Sequence, residues 1–221
     1  MSKKLLFFLS VLAVGCLGGF LGNRFFWSKA NSPVTVTERN EVFIQENQAL
    51  VEAINKVGPA VINVKTRLSN GNLLQGSALV LTNDGLAVTL AELIPPGQKF
   101  TFSSGEESLV YQVLKRDAKL NLALVKLEKM GWPAIGFSES NPALGQRIFL
   151  LAAATSGLIV DEGIVRSLSA TGFEISIVGE AGFSAGPLFD AAGNFEGLSL
   201  TSSVRPVKVV PASEIKSFIG F

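Results

Sequence analysis

The apolar positions along the chain fall into three regimes. Residues 5–22 are apolar almost without interruption, only Ser10 and Cys16 being mildly polar, between Ser2-Lys3-Lys4 and Asn23-Arg24. Residues 28–39 are polar and β-branched with one proline, and the whole of 28–45 reads as linker. In residues 46–57, Leu50, Ile54 and Val57 recur at helical spacing ahead of Gly58-Pro59, which predicts one short helix. From Ala60 onward the period is two. Residues 61–66 alternate, Asn70-Gly71 is a hairpin signal, 76–81 is the next strand, and Asn83-Asp84-Gly85 turns it into 86–90. Segments 100–102, 110–115, 122–127, 147–152, 164–168, 173–178, 188–189 and 195–200 continue the series. Strands at this density, with no long helices between them, predict an all-β barrel or sandwich and disfavour a doubly wound sheet. Residues 211–219 read as a closing helix with Ser213 in its first turn.

The first apolar run is long enough to cross a bilayer. Lysines on its N-terminal side favour an inside N-terminus, which sends everything after Arg24 across the membrane, and Phe25-Phe26-Trp27 reads as an interfacial anchor. No Ala-x-Ala site follows, so residues 1–27 are expected to stay attached as a signal anchor. Two alternatives remain. Ala13-Val14-Gly15-Cys16 resembles a lipobox lacking its leucine, which would make the protein a lipoprotein lipidated at Cys16; or the run is a buried helix of the domain.

Composition narrows the function classes. A net charge of +1 leaves no basic face for nucleic acid. A single cysteine forbids an intrachain disulfide or a cysteine-based metal site, and no metal or cofactor is expected. At 221 residues there is room for one double-barrel domain and no second folded one. The decisive count is histidine, of which there is none.

Candidate chemistry centres on Gly182-Phe183-Ser184-Ala185-Gly186-Pro187-Leu188-Phe189-Asp190, a small-residue turn presenting one hydroxyl, followed by a second turn at Asp190-Ala191-Ala192-Gly193-Asn194. A glycine two residues before a nucleophilic serine lets two N–H groups converge on an oxyanion. This stretch resembles the serine loop of trypsin-like proteases of the HtrA (Deg) type. The resemblance extends to Gly76-Ser77-Ala78-Leu79-Val80-Leu81-Thr82-Asn83-Asp84-Gly85 and to Asn121-Leu122-Ala123-Leu124-Val125-Lys126-Leu127, and covers the chain from about Asn47 onward.

The resemblance implies a trypsin-like double β-barrel, two six-stranded Greek-key barrels over about 60–127 and 145–210 within a domain of residues 46–221, with no PDZ module. It places Ser184 at the nucleophile position, Gly182 and Ser184 at the oxyanion N–H groups, Glu92 where the family carries its histidine, and Asn121 where it carries its aspartate. A Ser-His-Asp triad cannot exist here. Serine needs a base that accepts a proton near neutral pH, and an ordinary glutamate titrates more than two units below histidine. Asn121 cannot stabilise a cation as an aspartate does. Ala185 replaces a glycine beside the nucleophile, which raises the question of whether the loop still presents the hydroxyl. A Ser-Lys arrangement using Lys99, Lys119 or Lys208 is an alternative that nothing in the sequence selects.

The resulting expectation is a membrane-tethered, extracytoplasmic, proteolytically inactive homologue that binds an extended peptide or protein. By resemblance the peptide pairs with Leu198, Ser199, Leu200 and Thr201, as an added strand. A weak serine hydrolase using Ser184 is the competing expectation. A homo-oligomer, or a hetero-oligomer with an active homologue, is a further expected partner arrangement.

Overall fold

The computed structural model describes residues 7, 10–17, 20, 37–180, 182–200 and 206–220. Residues 7, 10–17 and 20 are helical, and the other residues of the expected span over 5–22 lie outside the described residues. Among those that are described, no helix is long and apolar enough to cross a membrane. The chain divides into two units, Met1–Gln45 and Glu46–Phe221. The helix before the barrels, α1, runs over Thr37–Val57 and so starts well before the expected residue 46. Its last turns bury Ala53 and Val57, with Leu50 and Ile54 packed alongside.

In the second unit, seven strands form one antiparallel sheet: β1 (Val61–Arg67), β2 (Leu73–Val80), β3 (Leu86–Leu90), β4 (Lys99–Ser104), β5 (Glu107–Leu109), β6 (Tyr111–Asp117) and β7 (Leu122–Leu127), in the order β5-β4-β1-β2-β3-β7-β6. The first of the two expected barrels is present as a half-barrel, with seven strands in place of six. The edge strands β5 and β6 follow one another with only Val110 between them. One residue cannot make a hairpin, which needs at least two, so the chain turns a corner and the hydrogen-bond ladder stays open.

The other half closes as expected. Strands β8 (Arg147–Ala154), β9 (Gly157–Ser169), β10 (Gly172–Val178), β11 (Pro187–Asp190), β12 (Phe195–Leu200) and β13 (Pro206–Pro211) form a six-stranded barrel in the order β10-β13-β12-β11-β8-β9. Strand β9 begins seven residues before the expected 164, because Leu158-Ile159-Val160 is equally exposed at every position and carries no alternation to read.

Alternation sorts the core into two. Ile148, Leu150 and Ala152 of β8 point into the barrel with Phe173, Ile175 and Ile177 of β10 and Val207 and Val209 of β13. The intervening Phe149, Leu151 and Ala153 face outward, into a larger core shared with the seven-stranded sheet, Phe189, Phe195 and Leu198. A strand buried on both faces reads as continuously apolar, as β8 does. Helix α2 (Ala212–Ile219) closes this core with Ala212, Ile215 and Phe218, and Gly220, at φ 86°, ends it.

Candidate active site

Glu92 sits on a 3-10 turn, Ala91–Leu93, immediately after β3. That turn is tied down along its length. Ala91 N–H donates to Asn121 O at 3.0 Å and Ile94 N–H to Ala91 O at 3.2 Å. The Thr66 hydroxyl donates to Leu93 O, and Arg116 Nη2 donates to Ile94 O.

Asn121 enters β7 with a left-handed φ of 54°, a conformation that asparagine tolerates better than most residues. The preceding turn is held by Asp117, whose Oδ1 accepts from Lys119 N–H at 2.8 Å and Leu120 N–H at 3.0 Å. Those two donors, Leu120 first, hold the Asp117 carboxyl below the usual carboxylate range. Asn121 then grips Glu92 at two points. Its Oδ1 accepts from Glu92 N–H at 3.0 Å, and its Nδ2 donates to Glu92 Oε2 at 3.0 Å.

The two residues expected at the histidine and aspartate positions are therefore fitted to each other. An aspartate accepts hydrogen bonds only, which suits a histidine N–H and would set carboxylate against carboxylate beside Glu92. An amide supplies both the acceptor and the donor that Glu92 requires.

The serine loop is anchored from the barrel side. Phe183 is buried inside the barrel with the cluster of Ile148, Leu150 and Leu188. Phe183 O accepts from Gly186 N–H at 2.9 Å and from the Ser199 hydroxyl. Ala185 N–H donates to Ser199 O at 3.0 Å, and Ser199 N–H to Gly186 O at 2.9 Å. Ala185 takes a left-handed φ of 56° and Gly182 one of 104°. The methyl group at 185 is accommodated, and the loop presents its hydroxyl.

The sheet side holds the same loop through Gly76 and Ser77. Ser77 N–H donates to Ser184 O at 2.9 Å. A Cβ on Gly76 would lie 2.5 Å from Ser184 O and 2.5 Å from Leu93 Cδ1, so only glycine permits this approach. Ser77, fully buried, also accepts from Ala153 N–H through its hydroxyl at 2.9 Å and from the Thr89 hydroxyl through its carbonyl at 2.7 Å. In the sequence Gly76-Ser77 stands out only by resemblance. A glycine inside an apolar strand is the one local signal of their positioning role.

The outcome is a connected line. Ser184 Oγ donates to Glu92 Oε1 at 3.2 Å, and Glu92 Oε2 accepts from Asn121. All three residues expected at the triad positions are thus brought together. None of Lys99, Lys119 or Lys208 bonds to the Ser184 hydroxyl among the described residues. Among the same residues, Gly182 N–H and Ser184 N–H donate to no acceptor.

The four expected peptide contacts separate. Leu198 is buried and paired on both sides, with Pro187 and Val210, and both backbone groups of Ser199 are used by the serine loop. Leu200 pairs with Lys208 of β13, while the ladder to β11 has already ended at Leu198. Thr201 lies outside the described residues.

Comparison with known proteins agrees with this fold. The trypsin-like peptidase domain family matches residues 76–198. Among solved structures, a serine endoprotease from Yersinia pestis superposes with a TM-score of 0.70 at 18% identity, over 77% of this chain and 65% of its own. AlgW, an HtrA-type protease with its serine replaced and a tripeptide present, gives 0.67 at 20%, over 77% and 62%. Rv3671c from M. tuberculosis H37Rv, as an inactive serine-to-alanine form, gives 0.67 at 19%, over 78% and 92%. The chain thus spans less than two thirds of the length of the first two. Comparison with curated protein sequences gives no match. With a serine loop, a clamped Glu92 turn and Asn121 meeting between an open sheet and a closed barrel, and with more than half of its length matched, the chain belongs to the trypsin-like peptidase family.

Proposed function

We propose that this is a non-proteolytic member of its family that holds an extended peptide or protein segment beside Ser184, tethered to a membrane through residues 5–22 with the barrel domain on the extracytoplasmic side. The observation that carries the reading is the absence of histidine from all 221 residues. The position of the general base is taken by an exposed carboxylate, and the position of its orienting partner by a neutral amide. In subtilisin, a serine protease of unrelated fold, loss of the histidine base alone lowers turnover by about 10^6.

What supports binding over simple decay is the upkeep of the site. The Glu92 turn, the Asn121 turn and the serine loop are each held by several hydrogen bonds. An extended segment entering here meets β12 at Leu200, where the pairing with β11 has ended. One structural relative, AlgW, was solved with a tripeptide, which supports peptide as the ligand class. The bound protein includes, on this reading, a second copy or an active homologue.

One observation favours a second reading, a weak serine hydrolase. The Ser184 hydroxyl already donates to Glu92 at 3.2 Å, the geometry of a nucleophile on its base. A fluorophosphonate probe on the full-length chain separates the two. The binding reading expects no stoichiometric label; labelling that disappears in Ser184→Ala overturns it. Alkaline carbonate extraction tests the tether, which fails if the full-length chain leaves the membrane fraction.

A further inference from the structure

Away from Ser184, strand β12 carries a second unusual carboxylate. Its pairing with β11 steps from Leu188↔Gly197 to Phe189↔Phe195, so Glu196 is the extra residue of a β-bulge and has no partner on β11. Bulges re-aim side chains, and this one turns a charged residue away from the alternation of β12 toward the segment that links sheet and barrel. Glu196 is only 2% exposed.

A carboxylate buried to that degree ordinarily has a cation beside it. Among the described residues Glu196 belongs to no ion pair. Its Oε1 accepts from Gln146 Nε2 at 2.9 Å, and Gln146 is itself fixed because its Oε1 accepts from Ala143 N–H at 2.9 Å. The Ser138 hydroxyl lies between the Glu196 carboxylate and Ser140 O, which it reaches at 3.0 Å, and its one proton serves either acceptor. Asp190, on the neighbouring strand, adds negative charge, although its carboxyl is engaged by Ala192 N–H and Asn194. Burial first, then Asp190, pushes the Glu196 carboxyl up, and Gln146 and Ser138 oppose them.

The carboxylate lines a cavity of about 240 Å³ whose other polar walls are Ser138, Ser140, Asn141, Ser213 and, at the rim, Glu139. Ser213 Oγ and Asn141 Oδ1 stand 3.5 Å apart across it. The inventory is one buried negative charge, several neutral oxygens, and room for a group larger than water. Among the described residues, no cation lines the cavity.

We propose that this cavity binds a primary ammonium group, with Glu196 as counter-charge and the oxygens of Ser138, Asn141 and Ser213 as neutral acceptors. Donor chemistry selects the class. A hard divalent ion takes six to eight oxygens, several of them carboxylates, and no cluster of three metal-ligating side chains occurs among the described residues. A guanidinium holds its donors in one plane and pairs best with both oxygens of a carboxylate side by side, whereas here Gln146 already bonds one of them and the remaining acceptors are single oxygens spread around the cavity. An ammonium offers three N–H groups that radiate, which suits one free carboxylate oxygen and neutral oxygens around it. A lysine side chain of a partner protein and a free alkylamine share this chemistry.

The test is thermal unfolding of the full-length chain in phosphate buffer free of primary amines, titrated with n-butylammonium and, separately, with Nα-acetyl-lysine methylamide. Tetramethylammonium, which has charge but no N–H, n-butanol, which has the tail but no charge, and calcium serve as comparisons. Ligand bound only by the folded state raises the melting temperature saturably. The expected result is a saturable rise with an ammonium probe, the stronger of the two identifying the source, and no saturable rise with the three comparisons. Glu196→Gln, which keeps the shape and the Gln146 contact region, is expected to weaken that response at least tenfold. Ser213→Ala, a rim change that leaves the buried carboxylate in place, is expected to weaken it severalfold. Saturation by tetramethylammonium or calcium, an unchanged response in Glu196→Gln, or no response to either ammonium through the millimolar range overturns the proposal.

Discussion

At the scale of single residues, Glu92 and Asn121 illustrate how a substituted site keeps its shape. Glu92 alone would face an aspartate with repulsion, and Asn121 alone would leave a histidine without its counter-charge. Together they restore two reciprocal hydrogen bonds of 3.0 Å. Asn121→Asp is therefore expected to destabilise the protein by about 0.5–1.5 kcal/mol, since it loses a donor and sets like charges together in solvent; urea unfolding measures this. Adding Glu92→His to it is expected to recover that loss, because aspartate also tolerates the left-handed backbone at 121 and again meets an N–H. The double variant is further expected to hydrolyse an activated ester where each single variant does not. An equally inert double variant, folded as judged by its urea midpoint, would show that the loop around Ser184 is not arranged for attack.

At the scale of elements, legibility in the sequence tracks the clarity of the apolar pattern and of the turns that bound it. Strand β3 runs over Leu86–Leu90 as the pattern predicts, because a turn of Asn83-Asp84-Gly85 starts it and every residue after Leu86 is buried. Only the second half of β9 is legible, because Leu158, Ile159 and Val160 are each 42% exposed. The bulge at Glu196 is not legible at all, for it is defined by pairing with β11 across a turn. The contact between β2 and the serine loop belongs to this scale too. Gly76→Ala is expected to cost about 1–3 kcal/mol, the range for forcing extra volume into a packed site, since its methyl would meet a carbonyl and a leucine at 2.5 Å. The same change should displace Ser184, so that any residual probe reactivity or peptide binding falls together with stability. Loss of stability with unchanged binding would separate the serine loop from the proposed peptide site.

At the scale of the whole molecule, pH acts through carboxyl groups shifted in opposite directions. The Glu196 carboxyl is raised, so the folded state holds more protons than the unfolded chain above the unfolded value of about 4.3. Stability from this group is fully present below that value and declines as pH rises toward its folded pKa. Asp117 and Asp84 are lowered, the latter by Lys126 first and Thr82 second, and their contributions are present above the unfolded value and lost as pH falls through the folded one. Glu196→Gln is expected to gain stability relative to the parent chain as pH rises from about 4 toward neutrality, then hold a constant difference. Denaturant unfolding across that range, without primary amines, checks it; a difference that shrinks with rising pH would reverse the assignment.

The sequence by itself determined the class of fold and the chemistry that is missing. Period-two alternation and turn residues are local, so they announce strands, and the absence of histidine is a property of composition that no folding can alter. Only the tertiary structure decided that the first sheet stays open, that Phe183 holds the serine loop by burial, and that Ser184, Glu92 and Asn121 meet. It alone also revealed a carboxylate sealed at Glu196 with no ion-pair partner among the described residues. Each of these depends on residues far apart in the chain being brought within a few ångströms, and a pattern read along one dimension carries no record of those distances.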